Sequence, residues 1–159
     1  MRLFAMVCLF ALITMAACAK KTTTVTTSDG STVTTSNDNQ TATIQTKDGT
    51  ATYGAGAVDP AKLGAPVYPG AAKSEGGMSV AASNGASAMA SFSTADSFDR
   101  VYTWYKDHMP AGSEKMKMSA GGQDTAEFAT GEQSNDEVAV MISAKDGKTQ
   151  IIITRNTKK

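Results

Sequence analysis

With one histidine and two cysteines in 159 residues, the sequence has too few ligands for a zinc module and too few thiols for a disulfide-stapled scaffold. Aromatic residues make up 6% and charged residues 19%, and the 15 basic side chains balance the 15 acidic ones. A neutral chain supplies no general field for gripping a phosphate backbone, so no nucleic-acid partner is expected. Catalytic signatures are missing too. There is no Gly-x-Ser-x-Gly elbow, no His-Glu-x-x-His pair and no Gly-x-x-x-x-Gly-Lys phosphate loop. The expectation is a non-enzymatic protein without a cofactor, of a size that fits one folded domain plus appendages.

What is present begins with an export signal. Arg2 supplies a positive start, and Leu3 to Ala17 form an apolar run broken only by Thr14. A membrane-spanning helix needs about 20 apolar residues, and this run stops earlier, against Cys18, Lys20 and Lys21. It reads as the hydrophobic region of a signal peptide over residues 1–17.

Met15-Ala16-Ala17-Cys18 resembles the lipobox of bacterial lipoproteins, in which small residues precede a cysteine that carries diacylglycerol. The resemblance implies lipidation of Cys18, cleavage before it and membrane attachment through the N-terminal lipid. Acyl chains contribute about 0.8 kcal/mol per buried methylene, so two or three of them hold a domain without a spanning helix. Ala19 at the second mature position implies an outer-membrane lipoprotein facing the periplasm if the host is Gram-negative. Cleavage also discards Cys8, leaving no free thiol for redox or nucleophilic chemistry.

Residues 18–60 read as a lipid-anchored, threonine-rich tether. Thirteen threonines fall within residues 22–52, where Val25, Val33 and Ile44 are the large aliphatic side chains. That cannot build a core. Asp29-Gly30 and Asp48-Gly49 are hairpin-turn dipeptides flanked by strand-forming threonines, so the stretch forms either two short hairpins or a solvated stalk.

Residues 61–159 read as a small α+β domain. Pro69-Gly70 predicts a type II turn, with Tyr68 turned inward at the entry. Alternating residues on either side of Asn84-Gly85 predict a hairpin; a three-residue loop, Ser83 to Gly85, places Val80 opposite Ala88 and Met78 opposite Ala90. Asp96 to Met109 predicts a helix, capped by Asp96 and closed by Pro110, with Phe98, Val101, Tyr102, Tyr105 and Met109 on one apolar stripe. Four more strands follow, at Glu114–Ser119, Thr125–Thr130, Glu137–Ala144 and Thr149–Thr154. A turn at Asp146-Gly147 sets Ile142 opposite Ile151 and Val140 opposite Ile153. The expected order is β-β-α-β-β-β-β, an antiparallel sheet with a single helix on one face.

These features resemble small bacterial lipoproteins without an assigned activity, in which Asp-Gly hairpins precede a Pro-Val-Tyr-Pro-Gly-Ala entry and a Ser-Phe-Asp-Arg-Val-Tyr helix. Here they are Asp48-Gly49, Pro66 to Ala71 and Ser97 to Lys106. The resemblance carries no catalytic residue. A lipid anchor, a stalk-like tether and no assembled active site point to a structural or interaction role with an envelope protein partner. The competing reading is a small-ligand module using Tyr68, Tyr102, Trp104 and Tyr105, since rings favour apolar ligands. A Cu(I) set of His108, Met109, Met116 and Met118 beside Trp104 suits thioether chemistry, although methionines filling the core beneath the helix explain the same pattern.

Overall fold

Threonine-rich segments come first and segments that alternate small or apolar with polar residues follow, and the computed structural model assembles both into one antiparallel sheet. It describes residues 22–37, 40–145 and 147–159; the signal peptide, Cys18 and Asp146 lie outside them. The strands are β1 (Thr22–Thr26), β2 (Thr32–Ser36), β3 (Thr41–Thr46), β4 (Gly49–Gly54), β5 (Ala72–Ala82), β6 (Gly85–Thr94), β7 (Glu114–Ala120), β8 (Gln123–Thr130), β9 (Asp136–Lys145) and β10 (Lys148–Lys158). Among the described residues the single α-helix, α1, covers Phe98–His108. The spatial order is β1-β2-β3-β4-β5-β6-β10-β9-β8-β7. From β6 the chain crosses one face through α1 to the far edge, then meanders back until β10 pairs with β6. The sheet is open, and the expected α+β domain with one packed helix is present.

The threonine-rich stretch is not a stalk. Its two hairpins pair with each other through β2 and β3 and join the remaining strands through β4 and β5, where Ala51 faces Val80 and Tyr53 faces Met78. No gap in the ladder marks the tether-to-domain boundary that composition suggests near residue 60. Thr24 with Thr34, and Thr43 with Thr52, form cross-strand hydroxyl pairs at 3.0 and 3.2 Å. These strands nevertheless bring nothing to the hydrophobic core. The core runs from Val58 and Leu63 through Phe92, the helix stripe, Phe128, Val140 and Ile142 to Ile151 and Ile153.

The helix stripe is as expected: Phe98, Val101, Tyr102 and Tyr105 are buried, and Met109 follows them into the core. The helix packs on β8, β9 and β10. Its start differs from expectation. Ser97 is the N-cap residue and makes no side-chain cap. The Asp96 carboxylate instead accepts from the Tyr68 hydroxyl at 2.6 Å and from Arg100 at 3.2 Å.

Pairing in the last hairpin matches the sequence reading, with Ile142 opposite Ile151 and Val140 opposite Ile153. The Tyr68-to-Ala71 turn also forms as expected, since Gly70 has φ 77° and the Ala71 N–H donates to the Tyr68 carbonyl at 3.1 Å.

The hairpin of β5 and β6 departs from the expected register. Its loop is Ser83-Asn84, so Met78 faces Met89 and Val80 faces Ser87. A one-residue slip reverses the faces, so Met78 and Val80 point away from the helix while Ala88 and Ala90 point toward it. Gly85 serves the backbone that leaves the turn, where its φ is 152°, and also the neighbouring strand: a Cβ there would lie 2.1 Å from the Thr157 carbonyl oxygen. Gly49 repeats the device. Lys47-Asp48 makes the turn, and a Cβ on Gly49 would lie 2.3 Å from the Ala81 carbonyl oxygen.

Two residues before Thr157, Arg155 on β10 forms a two-pronged ion pair with Asp136, at 2.8 and 2.7 Å, and donates to the Lys62 carbonyl at 3.0 Å. This pair holds the Asp136 carboxyl below its ordinary value, through the guanidinium hydrogen bonds first. It fastens the entry loop to the sheet.

Candidate functional site

Helical spacing places Asp96, Asp99, Arg100, Thr103, Trp104 and Asp107 on the side of α1 that flanks the buried stripe. Opposite them stands the Tyr68-Pro69 turn. Between the two lies an open groove of about 650 Å³ lined by these eight residues. Three carboxylates against one guanidinium give the groove a negative balance. Arg100 is already engaged with Asp96, and Asp99 is 3.4 Å from Lys117.

Trp104 forms the apolar wall. Its indole meets Tyr68 edge-on at 5.3 Å and Tyr105 edge-on at 4.9 Å, and His108 stacks on it at 4.2 Å. The His108 Nδ1–H donates to the Trp104 carbonyl at 2.7 Å, which fixes the imidazole over the indole. Hydrogen bonding to the Asp96 carboxylate is the first cause that raises the Tyr68 phenol above its ordinary value.

The four aromatic residues named from sequence therefore do not form one surface. Tyr68 and Trp104 line the groove. Tyr105 lies behind them in the core, and Tyr102 lies on the β7 side of the helix. There Tyr102 stacks on Phe98 and donates to the Glu114 carboxylate at 2.7 Å, with the Lys117 ammonium 3.9 Å above its ring. That hydrogen bond, and next the ion pair with Lys106, lowers the Glu114 carboxyl. Asp96, Asp99 and Asp107 are visible in the sequence as a carboxylate set, but Asp96 and Asp99 read there as helix caps and Asp107 as a solvated position. The signal that could have joined them to a groove is the polar 96, 99, 100, 103, 107 spacing that brackets the lone tryptophan.

The methionine set is divided by the sheet. Met109 is buried under the helix, whereas His108 is exposed at its end. Lys117 faces the helix, so Met116 and Met118 on either side of it project from the opposite face, 38% and 51% exposed. Among the described residues no group of three or more His, Cys, Asp or Glu side chains is arranged to hold a metal. Among them also, no helix is long and apolar enough to cross a membrane.

The Tyr105 hydroxyl is the one buried side-chain oxygen or nitrogen, among the described residues, without a hydrogen bond of ordinary geometry. It lies near the Tyr68 backbone, and burial pushes its phenol far above the usual value. An unsatisfied buried hydroxyl costs about 1–3 kcal/mol, so Tyr105→Phe should leave stability unchanged or raise it by up to about 1 kcal/mol in a urea melt. A clear loss would mean that the hydroxyl has a partner.

Compared with known proteins, the chain matches no family model, no curated protein and no solved structure.

Proposed function

We propose that this chain is a bacterial envelope lipoprotein of non-enzymatic, interaction type, anchored through acylated Cys18. In a Gram-negative host it sits in the outer membrane facing the periplasm. The observation that carries this reading is the 15-residue apolar run that ends on Met15-Ala16-Ala17-Cys18. The fold adds a constraint on attachment. Strand β1 starts at Thr22, and four Cα steps of at most about 3.6 Å each keep that strand within about 14 Å of the anchored cysteine. The start of the β1 edge is thus held close to the lipid headgroups, with no long stalk between them.

Replacing Cys18 with serine tests the anchor. Mature-sized protein in the membrane pellet should fall at least tenfold; an unchanged amount would overturn the reading.

A second reading rests on the groove. An indole wall with a surplus of carboxylates suits a small cation, through cation–π attraction and ion pairing. Trp104 is the sole tryptophan, so its emission reports on the groove. Titration with 1,4-diaminobutane should give a saturable change that Asp107→Asn weakens. A flat response would remove this reading.

A further inference from the structure

The two edges of the sheet are built differently. Strand β7 is guarded: it carries Lys115 and Lys117 and an irregularity between Glu114 and Met116. Charges and bulges of this kind discourage edge-to-edge pairing. Strand β1 reads Thr-Thr-Thr-Val-Thr, has no charge or proline, and is exposed along its whole length.

Hydrogen-bond parity shows which groups β1 offers. The Thr27 N–H donates to the Ser31 carbonyl at 2.9 Å, so in the ladder with β2 the odd residues Thr23 and Val25 form the hydrogen-bonded pairs. Thr22, Thr24 and Thr26 then direct their N–H and C=O groups outward.

An apolar row also ends here. Val80, Ala51, Ile44, Val33 and Val25 face one another across five strands on the sheet face away from the helix. At the edge, Val25 is left 57% exposed.

We infer that β1 pairs antiparallel with β1 of a second copy of this chain, about a two-fold axis at Val25, making one continuous sheet. In that register Val25 meets the second copy's Val25, which prolongs the apolar row through the seam. Thr24 meets the second copy's Thr26, and the outward N–H and C=O groups of both residues are paired. The strand is its own complement, with no like charges to repel. The seam also suits a common bilayer. The two Thr22 residues emerge about 20 Å apart at about 3.4 Å per residue, leaving room for both anchors in one leaflet. Given cleavage at Cys18, which this clause takes from the reading above, the few preceding residues are too short to fold back as an eleventh strand.

The test is oxidative crosslinking of Val25→Cys in the intact, membrane-bound chain. Val25 falls at a non-hydrogen-bonded position of the seam, where Cα atoms approach to about 4.5 Å, within disulfide range. Most of the protein should convert to a dimer of twice its mass. Adding Thr24→Lys, a charge on the outward edge, should cut that yield at least tenfold while leaving the circular dichroism spectrum intact. Met116→Cys on the guarded edge should stay monomeric. A Val25→Cys chain that remains monomeric, dimerises no better than Met116→Cys, or crosslinks to a protein of different mass overturns the inference. The parent chain, treated in the same way, should stay monomeric; a dimer from it would report a free native thiol and so a failure of the Cys18 reading, distinct from a failure of the seam.

Discussion

Phe128→Ala is expected to cost about 3–5 kcal/mol, the range for truncating a fully buried aromatic side chain. Phe128 is 1% exposed and sits where β8 meets the helix, with Tyr102 and Tyr105 at ring distances of 5.8 and 6.2 Å. Three rings share this volume, so removing the central one leaves a cavity that the rigid sheet beneath cannot close. Domains of this size have only about 5–15 kcal/mol of net stability, and the loss would consume much of it. Urea unfolding followed by circular dichroism measures the effect. A cost under about 1 kcal/mol would mean that the helix does not rest on Phe128 as described.

Gly49→Val should act in the opposite manner, releasing one part of the sheet and sparing the rest. A Cβ at this position meets the Ala81 backbone oxygen, which has no rotamer by which to move away. Strands β4 and β5 must separate at that end. Strands β1–β4 contribute no side chain to the core cluster, so they are held by ladder hydrogen bonds and small contacts and form the low-stability unit of the molecule. Hydrogen exchange should therefore quicken at least tenfold across residues 41–54 and barely change across residues 138–153. Equal acceleration in both regions would show that the two parts open as one.

That asymmetry explains which parts of the fold were legible in the sequence. The last hairpin could be read because β-branched residues on both strands and the Asp146-Gly147 turn specify one register. The helix could be read because Phe98, Val101, Tyr102 and Tyr105 keep a strict apolar spacing. The threonine-rich stretch could not be resolved, since its strands carry too few large side chains to specify pairing and its one tie to the remaining strands, β4 against β5, joins residues nearly thirty positions apart. Asn84-Gly85 misled for a related reason. Its glycine answers to Thr157, more than 70 residues away, and a local turn rule has no access to that neighbour.

The candidate site was legible only in part. Helical spacing already put Tyr102 and Tyr105 on the buried stripe, but nothing local says that the Tyr68 turn comes to stand opposite Trp104 across a groove. The Met116 and Met118 pair shows the same limit. Alternation puts them on one face, and only the placement of Lys117 over the Phe98 and Tyr102 rings shows that the face is the uncovered one.

The functional account depends on the chemistry of a single sulfur atom. Mass spectrometry of the N-terminal tryptic peptide from membrane-extracted protein tests it most directly. The account predicts a peptide that begins at Cys18, ends at Lys20 and carries the mass of a diacylglyceryl group; a peptide beginning at Met1, or an unmodified Cys18 thiol, would contradict it.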